Sequence, residues 1–218
     1  MNKAVLWNLS YGVYVVSSMD NNRPIGCVAN SIMQLTHDCL AVSLNHQNYT
    51  NKIVKETKKL AISILSQNVD ENVIPTFGFC SSKDNDKFKN INYKMIDNLP
   101  ILENSNGYIT LGVVQEVELE THTLFICKII NGDVLTNDIP MTYKYYHDVI
   151  KGRAPKTAPT YIEEEIELGF SKDYPEDSFT REEDLLEDNE TSLIDNLKQM
   201  FLKFIAKIKA LFIKKNPF

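Results

Sequence analysis

Asn45, His46, Gln47, Asn48, Thr50, Asn51 and Lys52 crowd residues 45–52 with amides, an imidazole, a hydroxyl and an ammonium. Side chains of these types in so short a stretch can do two kinds of work. They can turn the chain and cap a helix, because Asn and Thr oxygens satisfy the first free backbone N–H groups. They can also surround an anion, with the N–H groups of a helix start, the Thr50 hydroxyl and the Lys52 ammonium converging on it. A helix terminus contributes about 0.3–2 kcal/mol to such a charge. On these residues alone both readings stand.

Other chemistries find no residues to carry them. The glycines are Gly12, Gly26, Gly78, Gly107, Gly112, Gly132, Gly152 and Gly169, and no two flank a single residue. A dinucleotide GxGxxG, a Walker A loop and a serine-hydrolase elbow all need closely spaced glycines. The four histidines, His37, His46, His122 and His147, are scattered, and Cys27, Cys39, Cys80 and Cys127 form no CxxC pair. No metal site is therefore expected, nor a dithiol centre. Cys80 and Cys127 read as small buried residues, and His46 as a turn residue. The thiols fit a reducing cytoplasm.

The elements that must position the polar corner read mostly as strands. YGVYVVSS (11–18) and CVANSIMQLT (27–36) flank DNNRPIG, which reads as a hairpin loop. LAVSLN (40–45) is a third strand, a short helix follows over 50–58, and LAISIL (60–65) is a fourth strand. TFGFCSSKDNDKF reads as irregular with a helical turn at its end. Two long strands follow, the first ending near Glu120 and the second alternating His122, Leu124 and Ile126 against Thr121, Thr123, Phe125 and Cys127. So many short strands with few helices are best buried in a barrel or sandwich, so the fold class is mainly β. In MTYKYYHDVIKGRAPKTAPTY (141–161) the first half reads as one or two helical turns, while Pro155 and Pro159 hold the second half extended. A strap tying this end of the domain onto the barrel is one reading of it.

Charge divides the 218-residue chain into three parts. Residues 1–161 hold 15 basic and 15 acidic side chains, so no nucleic-acid footprint is expected. Residues 162–191 are dominated by acids and read as a solvated linker. Over 192–215, Leu193, Ile194, Leu197, Phe201, Phe204, Ile205, Ile208, Leu211 and Phe212 recur at helical spacing, with six lysines mostly on the other face. The expectation is an amphipathic helix that docks on an anionic membrane surface, on another copy or on a partner.

SYGVYVVSS, CVANSIMQLT, AVSLNHQNYT, FGFCSSKDNDKF, THTLFICKI and MTYKYYHDVIKGRAPKTAPTY, in that order and spacing, resemble the flavin reductase-like FMN-binding domain. The likeness extends to the flavoprotein part of high-molecular-weight rubredoxin and to flavoredoxin, and places the domain at 1–161. It implies a split β-barrel, a homodimer, and FMN held noncovalently near the subunit interface. By the same resemblance Ala29, Asn30 and Ser31 line the flavin, Ser43, Leu44 and Asn45 form the strand edge beside it, and Asn48, Thr50 and Asn51 form the phosphate corner. His122 matches a histidine near the redox face, which makes it the candidate catalytic residue. Lys83 and Lys87 match a basic loop, and Tyr145, His147 and Lys156 match a closing strap.

Two departures from the family stand out. Ser82 and Lys83 occupy positions where relatives commonly have Gly and Arg, which replaces a planar fork with a point charge. No CxxC pairs follow residue 161, so electrons are expected to leave to a separate redox partner. The function implied is an FMN-dependent oxidoreductase fed by NADH, NADPH or a redox protein. A non-catalytic FMN-binding or membrane-docking protein is the alternative. The expected location is cytoplasmic, with peripheral contact at the inner face of the cell membrane through 192–215.

Overall fold

The computed structural model describes Leu6, residues 9–156 and residues 158–161; the expected linker (162–191) and amphipathic helix (192–215) lie outside the described residues. The chain begins with a hairpin, β1 (Tyr14–Asp20) and β2 (Arg23–Ala29), in register from Tyr14↔Ala29 to Asp20↔Arg23. Its loop is only Asn21 and Asn22, shorter than the expected seven residues, because Arg23–Gly26 belongs to the strand. Pro24 signals a loop in sequence, but β2 is the edge of the sheet, where a missing N–H breaks no ladder. Gly26 is required by packing: a Cβ there would stand 3.0 Å from the Val16 carbonyl oxygen and 3.2 Å from the Phe77 ring.

The remaining strands are β3 (Ile32–Gln34), β4 (Cys39–Asn45), β5 (Lys59–Ile64), β6 (Tyr93–Ile96), β7 (Leu99–Leu102), β8 (Gly107–Glu118) and β9 (His122–Val134). The helices are α1 (Tyr49–Thr57), α2 (Val73–Phe79) and α3 (Tyr143–Asp148). Seven strands form one antiparallel sheet in the order β2-β1-β5-β8-β9-β4-β3. Its two edges, β2 and β3, are joined by Asn30 and Ser31 alone. In a flat sheet those edges would be about 29 Å apart, whereas such a connection reaches roughly 11 Å. The sheet must therefore curl until its edges approach, and the Ser43 N–H, donating to the Ser31 carbonyl at 3.0 Å, continues the β3–β4 ladder into the connection. Register shifts at Val114 and Ile130 bend the long β8–β9 pair.

Two apolar clusters hold this curl. Inside it pack Val16, Leu40, Val42, Leu44, Leu60, Ile62, Leu111 and Phe125, with Val54 of α1 plugging one end. The second cluster takes the opposite face of β1 through Val15, with Val13 just before the strand, and adds Phe77 of α2 with Tyr143 and Tyr146 of α3. β1 thus buries both faces, which is why VYVV lacks a clean alternation.

Three local expectations change. Besides the turns that end the 76–88 stretch, the helix α2 runs into its start, and Pro75 is tolerated because it lies in the first turn, where N–H groups have no intrahelical partner. The β6–β7 hairpin escaped notice because its strands are four residues each. Its loop, Asp97–Asn98, has φ of 53° and 62°, the left-handed pair that matches strand twist. The Ala158 N–H donates to the Pro155 carbonyl and the Tyr161 N–H to the Ala158 carbonyl, so turns stand where an extended run was expected. α3 itself begins as expected, with Thr142 accepting from the Tyr145 N–H.

Candidate flavin site

The corner at 45–52 is built from inside. Asn45 turns the chain by accepting from the Gln47 N–H at 2.8 Å. Asn51, 2% exposed, donates to the Leu44 carbonyl at 2.9 Å and so locks α1 to the end of β4. Asn48 occupies the N-cap position, yet its side chain caps nothing; its amide points to the Cys27 sulfur at 3.7 Å. The first turn of α1 holds no acidic residue. The positive end of the helix is left without the neutralisation that a cap or a carboxylate would supply.

Lys87 adds a second positive group. Its side chain is 4% exposed, with Nζ donating to the carbonyls of Gly26 at 3.0 Å and Phe77 at 3.1 Å. Burial pushes its pKa down; the thiols of Cys27 and Cys80 offset this only where they ionise, and no carboxylate among the described residues does so. Cys27 stands between this ammonium and the corner, within hydrogen-bonding reach of Thr50 and Asn48 and within electrostatic reach of Lys87. Thr50 is itself buried, at 1% exposure. Burial raises the Cys27 and Cys80 thiols and pushes Cys127 up to about 12, so none of the three is a thiolate at neutral pH.

The other expected residues fall around the seam of the barrel. Ala29 ends β2, and Asn30 and Ser31 make the connection, with Ser31 Oγ donating to Asn30 Oδ1 at 3.1 Å. Ser43, Leu44 and Asn45 run beside them on β4, and Asn45 pairs across the sheet with His122. His122 is buried, and its Nδ1 lies 2.7 Å from the Thr121 hydroxyl. His46 meets Glu118 at 3.1 Å. These groups share one end of β4 and β9.

Other predicted residues are spread apart. Lys83 is exposed beside the β1–β2 loop, its carbonyl accepting from Arg23 at 3.5 Å. Lys156 is exposed. His147 packs edge-on against Tyr143 with centroids 4.3 Å apart, and burial holds it below the ordinary histidine range. Tyr145 sits on α3, partly buried against the second cluster.

Three residues of the site were missed in the sequence. Ser82 accepts from the Gly26 N–H at 3.2 Å and donates to the Gly26 carbonyl at 2.9 Å, closing the open edge of β2. Cys27 read as an isolated thiol. Thr160 receives the Asn30 amide at 3.1 Å, and its hydroxyl lies 2.5 Å from that of Tyr143. Of these, Ser82 alone carried a signal, as a departure from the family pattern.

Comparison with known proteins identifies the family of this chain. The family described as "flavin reductase like domain" matches residues 6–152. The chain is 39% identical over 165 residues to high molecular weight rubredoxin of Moorella thermoacetica, covering 74% of this chain and 72% of that one. It is 35% identical over 167 residues to a ferric-chelate reductase (NAD(P)H) of Archaeoglobus fulgidus, covering 75% and 99%. Among solved structures, flavoredoxin from Methanosarcina acetivorans superposes with a TM-score of 0.54 at 15% identity, over 60% of this chain and 74% of that one.

Proposed function

The chain belongs to the flavin reductase-like domain family, and from that premise we propose that it is an oxidoreductase that holds FMN noncovalently and passes electrons from a donor to an external acceptor. The observation that carries the FMN assignment is the buried Lys87 ammonium, without a carboxylate, tied through Cys27 to an uncapped and unneutralised helix start. A buried cation costs several kcal/mol unless something compensates it. A phosphate at the corner supplies that compensation, with Thr50, Asn48 and the first N–H groups of α1 as donors. When bound, the isoalloxazine supplies the hydride- and electron-accepting chemistry.

The rest is positioning by this chain. Asn30 and Ser31 at the seam and Ser43 and Asn45 on β4 offer amide, hydroxyl and backbone groups to the polar edge of the ring. His122, held by the Thr121 hydroxyl, is assigned to orienting the donor at the redox face. A reduced nicotinamide is the donor favoured by the name of the Archaeoglobus relative, and a separate redox protein is the acceptor suggested by the rubredoxin-containing one. The four free thiols suit a reducing cytoplasm.

The test is reconstitution of the full chain with FMN, followed by NADH and NADPH separately under anaerobic conditions. The expected result is stoichiometric FMN uptake, weaker riboflavin uptake, and bleaching of the flavin absorbance by one nicotinamide. Equal affinity for FMN and riboflavin would remove the phosphate corner. FMN uptake with no reduction by either donor would leave a binding protein.

A further inference from the structure

We infer that Thr160 is a positioning residue for the flavin site, acting through Asn30. Thr160 lies beyond residues 6–152, the part matched by the family, and is 130 residues from Asn30 in sequence. It is nonetheless 4% exposed, and its Oγ1 accepts from Asn30 Nδ2 at 3.1 Å. On the other side its hydroxyl bonds that of Tyr143 at 2.5 Å. Tyr143 is in turn fixed by its N–H to the Tyr11 carbonyl at 2.8 Å and by its ring edge against Tyr11. The turn over 158–161 therefore carries a hydroxyl clamped between a helix and the two-residue connection that closes the barrel.

Asn30 has four hydrogen-bonding capacities, two N–H donors and two lone pairs on the amide oxygen. Thr160 takes one donor, and Ser31 Oγ, donating at 3.1 Å, takes one lone pair. One N–H and one lone pair remain on a buried group, 6% exposed. A donor next to an acceptor is the complement of a cyclic imide, the chemistry of the polar edge of a flavin. Which way the amide faces decides whether that complement is presented. The two hydroxyls on its flanks set that orientation, and the Thr160 hydroxyl is itself held by that of Tyr143.

The inference rests on the flavin reading above, and the experiment separates the two. FMN affinity by fluorescence titration and flavin reduction potential are measured in the full chain for Asn30→Ala, Thr160→Val, Thr160→Ser and the double variant Asn30→Ala/Thr160→Val. Thr160→Val is expected to weaken FMN about tenfold and to shift the potential. Thr160→Ser is expected to stay within about twofold, and the double variant to bind no more weakly than Asn30→Ala, the non-additivity of a residue acting through another. Tyr143→Phe provides an independent approach if Thr160→Val does not fold: it removes the outer hydroxyl of the clamp and is expected to weaken FMN about threefold in the parent and not at all in Asn30→Ala. Parental affinity and potential in Thr160→Val, or additive losses in the double variant, would overturn the latch. Parental FMN affinity in Asn30→Ala would overturn the placement of the flavin instead.

Discussion

Lys87 is where the charge balance of the site is most sharply posed. Its ammonium is buried against two carbonyls, and burial depresses its pKa. Between that depressed value and the ordinary lysine one, the unfolded chain binds the proton more readily than the folded chain. The contribution of Lys87 to the stability of the FMN-free protein should accordingly rise with pH across the alkaline window just below the ordinary lysine pKa, against the raised thiols, whose contribution falls there, and the difference between parent and Lys87→Met isolates it. A bound phosphate favours the charged form and should flatten that slope, which urea denaturation with and without FMN will measure. Lys87→Met should lower FMN affinity about tenfold or more and leave riboflavin affinity nearly unchanged. Equal losses for the two ligands would assign Lys87 to the fold alone.

Among the elements, the segment from α3 to Tyr161 depends on one close contact. A Cβ at Gly152 would collide with the Tyr146 ring, whose hydroxyl donates to the Arg153 carbonyl at 3.1 Å. The Gly152 N–H returns to the Tyr146 carbonyl at 3.0 Å, so ring and backbone wrap each other. Gly152→Ala should cost about 1–3 kcal/mol, as overpacking does, read by chemical denaturation. Because the same segment delivers Thr160 to the seam, FMN affinity should fall with it. A stable Gly152→Ala protein with parental affinity would mean that the segment is not coupled to the site.

For the molecule as a whole, two expectations concern what it binds to. The family resemblance implies a homodimer, and Met33 and Leu35 on and just beyond the β3 edge are 62% and 43% exposed. Sedimentation of the full chain at twice its monomer mass is expected, and sedimentation as a monomer with FMN bound would exclude it. Among the described residues no helix is long and apolar enough to cross a membrane. Over 192–215 the sequence sets Lys198, Lys203, Lys207, Lys209, Lys214 and Lys215 against Asp195, a charge pattern suited to an anionic surface. We propose that the full chain cosediments with anionic liposomes at low salt and is released as salt rises. Lys203→Glu with Lys207→Glu should abolish this, and partitioning unaffected by those changes would point to a protein partner.

The strand and helix pattern through LAVSLN, residues 50–58 and LAISIL was legible because periodicity is a local property of the chain. So was the polar corner, since its amides lie within eight consecutive residues. The order of the blocks likewise sufficed for the family. What stayed hidden depends on partners far away in sequence. Pro24 and Gly26 signal a turn by type, and only the edge position of β2 and the approach of Phe77 make them strand residues. Ser82 and Lys87 look like an exposed basic loop until the unpaired edge of β2 draws both to the Gly26 carbonyl. Thr160 is one hydroxyl among many, and it acquires a role when barrel closure brings Asn30 within 3.1 Å. Local chemistry determined which groups were available. The curl of the sheet decided which of them meet, because closing seven strands through a two-residue link brings together residues that no spacing in the chain relates.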